Sequence, residues 1–123
     1  MAKKKPKRAW RYEHVTVLEV KDGDTVILEI DMGFRQYTRR DFRLIGIDAP
    51  ECEGETKAAG DAAMEYLSGL LCRGIKSIVT HGPDKYGREL VSITALSGMG
   101  EQLEVSTEMV RAGHAVWYDG GKR

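Results

Sequence analysis

The sequence predicts a mainly β, α+β domain: a five-stranded Greek-key barrel with a capping helix and a short second helix. Three observations predict it. Period-two alternation recurs in short runs such as "TVILEI" (Thr25 to Ile30) and "ELVSITAL" (Glu89 to Leu96). One stretch, residues 57–72, carries apolar side chains at helical spacing. The elements follow one another as three strands, a helix, two strands and a helix.

In chain order, "YEHVTVLEV" reads as a first strand, about 12–20, and "TVILEI" as the second, about 24–31. Asp22-Gly23 between them is a hairpin signal, because Gly tolerates positive φ and Asp supports tight turns. That turn accounts for Asp22 and Gly23 but not for Asp24, which stands where the second strand begins. "DMG" turns the chain again, and a third strand, about 35–47, is rich in Arg early and apolar late. Pro50 ends it by removing a donor and holding Ala49 extended. The helix over 57–72 presents Ala58, Ala59, Ala62, Ala63, Tyr66, Leu67, Leu70 and Leu71 as two i, i+4 columns, one broad face for a core. Thr56 suits its cap and Arg73-Gly74 its end, while Gly60 and Gly69 each weaken it by about 1 kcal/mol relative to Ala. "IKSIVTH" is the fourth strand, "PDKYGR" a loop and "ELVSITAL" the fifth strand, with Val91, Ile93 and Ala95 on one face. A short helix near 106–112 is expected to start at Ser106 and stop at Gly113; "HAVWY" is extended and 119–123 frayed. Five short strands around a helix that plugs one end is the pattern of the OB fold, a barrel that presents one face to oligonucleotides or oligosaccharides.

At 123 residues the chain is one domain by size and long enough to bury a core without staples. Formal net charge is zero but unevenly spread. Residues 1–11 hold six Lys or Arg and no acid, leaving 13 basic and 19 acidic residues in the remainder. An acidic body suits a cation site better than a surface that coats nucleic acid. The basic arm, "KKKPKR", reads as a solvated tail, a phosphate-binding arm or a targeting tract. No apolar h-region follows it, and no apolar run reaches membrane-span length. The expectation is an intracellular protein with no membrane partner, a monomer, unless a signal was removed. Cys52 and Cys72 lack metal-ligand spacing and read as reduced thiols, with a bridge between them left open.

Four groups of residues fall outside the core pattern. They are Asp24; Arg43, Asp48 and Glu51 in "FRLIGIDAPE"; Asp84, Lys85, Tyr86 and Arg88 in "DKYGR"; and the pair Trp117 and Tyr118. Arg43 shares strand parity with Ile45 and Ile47, so amphipathic alternation does not predict it. Charged groups in so apolar a segment must be paired, bind a ligand or reach solvent. Carboxylates converging from the second and third strands make a hard oxygen site, suited to Ca²⁺ or Mg²⁺ rather than zinc. Two arginines, a cation and a carboxylate form a kit for hydrolysis at phosphorus: charge stabilisation on phosphate oxygens and activation of water. Each group alone has an ordinary explanation, as a structural ion pair, a strand exit or a charged turn.

Taken in order, "DGDT", "FRLIGIDAPE" and "DKYGR" make the chain from about 12 to 118 resemble the staphylococcal nuclease (thermonuclease) family. The resemblance implies an OB barrel and a calcium-dependent phosphodiesterase acting on DNA and RNA, favouring unpaired strands and leaving 3′-phosphate ends. It implies Asp24 and Asp48 as Ca²⁺ ligands, joined by the backbone carbonyl of Ala49, where the family often has Thr. It implies Glu51 as the general base. Arg43 and Arg88 are implied at the scissile phosphate, and Lys85 and Tyr86 at a neighbouring phosphate. A base-stacking aromatic has only a loose counterpart, Trp117 or Tyr118. Two departures stand out. The chain runs ten residues past Gly113, so the family's closing helix is expected to be missing. The hairpin between the second and third strands is longer and carries Arg35, Arg39 and Arg40, either a nucleic-acid-tracking edge or a solvated turn. The alternatives to a nuclease are a non-catalytic OB module binding nucleic acid or protein, and a carbohydrate- or peptide-binding barrel. The first normally shows as lost Asp, Arg or Glu, and none is lost; the second leaves the arginines and aspartates without a purpose.

Overall fold

The computed structural model describes residues 9–118. Most of the basic arm and the end expected to fray, 119–123, lie outside the described residues. In chain order the elements are β1 (Trp10–Tyr12), β2 (Val15–Asp22), β3 (Thr25–Asp31), β4 (Tyr37–Leu44), β5 (Ile47–Asp48), a 3₁₀ turn (Gly54–Thr56), α1 (Lys57–Leu71), β6 (Ile75–Pro83), β7 (Glu89–Leu96), β8 (Gln102–Glu104), α2 (Val105–Arg111) and β9 (Val116–Trp117). The chain is mainly β with two helices, as expected, but the strand inventory is finer than five. Residues 13 and 14 divide the first expected strand into β1 and β2. Gly46, at φ 84°, divides β4 from β5 by taking a left-handed conformation that a strand does not continue through.

One sheet runs β1-β6-β7-β4-β3-β2, with β8 added on β7, and β5 pairs with β9 separately. All pairs are antiparallel except β4 with β7. The hydrogen-bonded order ends at β1 and β2 and is not closed into a ring. Those two edge strands are only two residues apart in sequence, so the sheet must curl to bring its edges near one another.

The inward residues of the curled sheet make the core: Val26, Leu28 and Ile30 of β3, Phe42 and Leu44 of β4, and Val91, Ile93 and Ala95 of β7 are all buried. These alternations match the sequence expectation. The helix face is narrower than expected. Ala63, Leu67 and Leu71 form the buried column of α1, Tyr66 and Leu70 pack at its margin, and Ala58, Ala59 and Ala62 are exposed. In the first turn of α1 it is Gly60 that is buried, against the Glu51 carbonyl, and Ala58 and Ala59 beside it stay exposed.

Both expected caps differ. Thr56 occupies the position before α1 but makes no capping bond, and its hydroxyl turns back to carbonyls of the preceding loop. α2 is capped by the Glu104 carboxylate, which accepts from the backbone N–H of Ser106 and Thr107. Ser106 is buried instead, donating to the Ile45 carbonyl at 3.2 Å. Cys52 and Cys72 are both free thiols. Among the described residues no helix is long and apolar enough to cross a membrane.

Candidate functional site

The site is built where β3 and β4 begin and end together. Their antiparallel register sets Thr25 opposite Arg43, and Leu44 N–H donates to the Asp24 carbonyl at 2.8 Å. The turn before β3 is tightly packed. A Cβ on Gly23 would lie 2.6 Å from the Ala63 Cβ and 2.9 Å from the Ala49 Cβ. Only glycine lets the turn, α1 and the loop after β5 meet there, and that meeting aims Asp24 inward.

Asp24 is 7% exposed. One carboxylate oxygen accepts from the Thr25 hydroxyl at 3.0 Å, and the other accepts from the Ala49 backbone N–H at 3.0 Å. The Arg43 side chain is 12% exposed, and one guanidinium nitrogen does three things. It donates to the Ile47 carbonyl at 3.0 Å and sits 3.5 Å from Asp24 and 3.4 Å from Asp48. The two aspartates, 24 residues apart in sequence, therefore meet at a single nitrogen. The guanidinium also lies 5.5 Å from the Tyr118 ring centroid.

The "DKYGR" turn supplies the second arginine, and Asp84 organises it. One Asp84 oxygen accepts from the backbone N–H of Tyr86 at 2.8 Å and of Arg88 at 2.9 Å. The other pairs with the Arg88 guanidinium at 2.9 Å. Burial raises the Asp84 pKa, but those N–H groups and the Arg88 charge outweigh it and hold the carboxyl below its ordinary range. So braced, Arg88 reaches the Thr25 hydroxyl at 3.4 Å and lies under the Tyr86 ring, 5.7 Å from its centroid.

These groups line one cavity of about 530 Å³. Asp24, Arg43, Asp48, Ala49, Glu51, Lys85, Tyr86, Arg88 and Tyr118, all named from sequence, line it. Trp117 does not: it stands opposite Ile47 in the β5–β9 pair, 60% exposed. Asp84 of the "DKYGR" group lines it too, and so do Asp22 and Leu90, which the sequence did not single out for the site. The aspartate read as a turn residue thus faces the site; its place two residues before Asp24 was the available signal. Five carboxylates face three cationic side chains across this lining, a balance that attracts a further cation.

The donor set fits a hard cation. Asp24 and Asp48 converge beside the Ala49 peptide, offering carboxylate and carbonyl oxygen, the ligands of Ca²⁺ or Mg²⁺ rather than of zinc. Among the described residues no group of three or more His, Cys, Asp or Glu forms a cage. A cation held here would complete its shell with water and ligand oxygens.

The loop after Ala49 is fixed against α1. The Thr56 hydroxyl donates to the Glu51 carbonyl at 2.8 Å, with the Glu53 carbonyl at 3.1 Å. Gly60 is buried against the same carbonyl, and a Cβ there would run into it. Burial, a hydrogen bond to Asp22 and the charges of Asp22 and Asp61 push the neighbouring Cys52 thiol up to about 11. At neutral pH it is a protonated packing group, not a nucleophile.

A curled β domain with two braced arginines and a hard-oxygen corner in one acidic cavity is a nuclease-like or nucleic-acid-binding domain. A family model described as staphylococcal nuclease homologue matches residues 41–122. The chain belongs to that family. The match covers "FRLIGIDAPE" and "DKYGR" but begins after β3, so Asp24 lies outside the matched residues and is brought to them by the β3–β4 register, the Gly23 turn and the Ala49 N–H. No curated protein matches the chain.

Proposed function

We propose that the protein is a calcium-dependent nuclease that hydrolyses phosphodiester bonds of DNA and RNA, favours unpaired strands and leaves 3′-phosphate ends. The observation that carries this reading is the convergence of Arg43 and Arg88 on one cavity with Asp24, Asp48 and Glu51. We read residues 12–118 as the functional unit and its curled sheet as an OB-type barrel.

Asp24, Asp48 and the Ala49 carbonyl would hold Ca²⁺, which when bound supplies positive charge to the scissile phosphate. Arg43 and Arg88 bind the equatorial phosphate oxygens through their forked N–H groups. Glu51 orients a water and takes its proton as the oxygen attacks phosphorus in line with the 5′-oxygen. The P–O5′ bond breaks, the 5′-oxygen leaves and takes a proton from solvent water to become a 5′-hydroxyl, and the upstream fragment keeps the phosphate on its 3′-oxygen. Arg88 assists that departure. Lys85 and Tyr86 hold the adjacent phosphate, and Tyr118, which lines the cavity where Trp117 does not, stacks on a base.

The test is incubation of the protein with denatured DNA in Ca²⁺ or in chelator, with analysis of the product ends. Ca²⁺-dependent fragments ending in 3′-phosphate are expected. Binding of the strand without cleavage under any divalent ion would instead make this a binding module.

The loop clamp yields a second expectation. Thr56→Val, which keeps shape and loses the donor, should lower kcat, and Thr56→Ser should restore it. Gly60→Ala raises helix propensity by about 1 kcal/mol but displaces Glu51, and a shift near 1 Å is worth about 10²-fold in rate. Unchanged kcat in Thr56→Val and Gly60→Ala would show that the clamp does not set Glu51.

A further inference from the structure

The β3–β4 hairpin is built against its own backbone preferences. Gln36 N–H donates to the Gly33 carbonyl at 2.9 Å, closing a two-residue turn whose central residues are Phe34 (φ 54°) and Arg35 (φ 60°). Such turns ordinarily use Asn-Gly, and left-handed backbone costs other residues about 1–2 kcal/mol each. The turn nonetheless carries Phe34 at its apex, 96% exposed, beside Arg35. Tyr37 at the start of β4 is 61% exposed. Residues 32–40 hold three arginines and no acid, in a chain whose body is acidic.

Strand alternation sets Tyr37, Arg39 and Arg43 on one face of β4, so this face leads from the hairpin to the cavity. Three carboxylates lie on this face: Glu29 is paired with Arg39 at 2.6 Å, Asp41 with Lys21 at 3.1 Å, and Asp31, opposite Tyr37, accepts from the Gly33 N–H at 2.9 Å. Arg39 is 71% exposed and uses only its Nε on Glu29, so its terminal N–H groups can reach a phosphate while the pair is kept. Six residues of strand from Tyr37 to Arg43 span about 20 Å.

We propose that the hairpin is a second contact for the substrate strand. A base of an unpaired nucleic acid stacks on Phe34, and Arg35 and Arg39 hold the adjoining phosphates. The proposal rests on the nuclease reading for its substrate but on different residues for its site. Interleaved aromatic and arginine side chains match an unpaired strand, which offers both exposed base faces and phosphate charge. At the duplex rise of about 3.4 Å per nucleotide that span takes roughly six nucleotides, and a more extended unpaired strand takes fewer. A long strand reaches both; a trinucleotide reaches only the cavity.

The test uses the full chain and the double variant Phe34→Asn, Arg35→Gly, whose residues suit the left-handed turn and should raise the melting temperature. With Ca²⁺, cleavage of a trinucleotide should be unchanged. KM for a twelve-nucleotide strand should rise about 5- to 100-fold, the effect of losing one stacked base. The salt slope of binding that strand should fall by about 0.7 for the lost phosphate contact. Wild-type KM and slope in the variant overturn the proposal, as does a change confined to self-association in sedimentation. Anisotropy of the labelled twelve-mer in chelator decides the hairpin's role even if no cleavage is found, so failure of the nuclease reading and failure of the hairpin contact are separate results.

Discussion

Replacing Arg43 by lysine is expected to leave the protein folded and to cut cleavage of denatured DNA by about 10³-fold or more, as arginines at other phosphoryl centres do. That is roughly 4 kcal/mol of barrier. Lysine keeps the positive charge between Asp24 and Asp48, so neither carboxylate is left buried without a cation. What it loses is the planar fork. Arg43 already spends one nitrogen on the Ile47 carbonyl and the two aspartates. In the proposed reaction its remaining N–H groups bind the phosphate, and an ammonium has no second arm for that task. The measurement is kcat/KM on a defined single strand, with thermal unfolding as control. A folded Arg43→Lys protein with near-wild-type activity would remove Arg43 from the reaction.

Asp24→Asn is expected to weaken Ca²⁺ by more than the 10–100-fold typical of losing an outer partner of a metal ligand. Asparagine is isosteric and can still accept from the Ala49 N–H, so the loop keeps its tie. It cannot offer a carboxylate to a cation or a full charge to the Arg43 guanidinium, and with its oxygen kept on the Ala49 N–H its amide nitrogen replaces the oxygen to which the Thr25 hydroxyl donates. The buried corner then loses a charge-assisted interaction, for about 1–3 kcal/mol of stability. Calcium titration by calorimetry without substrate reads the first effect, and denaturant unfolding the second. Wild-type Ca²⁺ affinity in the folded variant would mean that Asp24 is not a ligand. Saturating Ca²⁺ should recover part of the activity of Asp24→Asn and none of that of Arg43→Lys. This separates a binding defect from a chemical one.

Legibility followed the range of the interaction. β3 and β7 alternate at period two because one face of each meets the core, and that alternation is written residue by residue. α1 likewise shows its Ala63–Leu67–Leu71 column, although the alanines of its first turn carry the same local signal without being buried. The caps were less legible. Thr56 and Ser106 have the right chemistry in the right places, but each hydroxyl found a carbonyl outside its helix, Glu51 for Thr56 and Ile45 for Ser106. A local rule cannot weigh a partner 61 residues away. The strained turn at Phe34 and Arg35 also gave no signal, since neither residue is a usual left-handed former.

By itself the sequence determined the kinds of chemistry available: which segments alternate, where the chain must turn, and which carboxylates, arginines and aromatics stand outside the core pattern. Tertiary structure alone decided their distances. Asp24 meets the Ala49 N–H across 25 residues, and Arg88 reaches Thr25 across 63. Both meetings depend on the register of β3 with β4 and of β4 with β7, which the burial of Phe42, Leu44, Val26 and Val91 sets. The same packing brought in Asp22 and left Trp117 outside. Residue type is a local property of the chain, whereas proximity is a property of its packed core, and the cavity exists only where the two coincide.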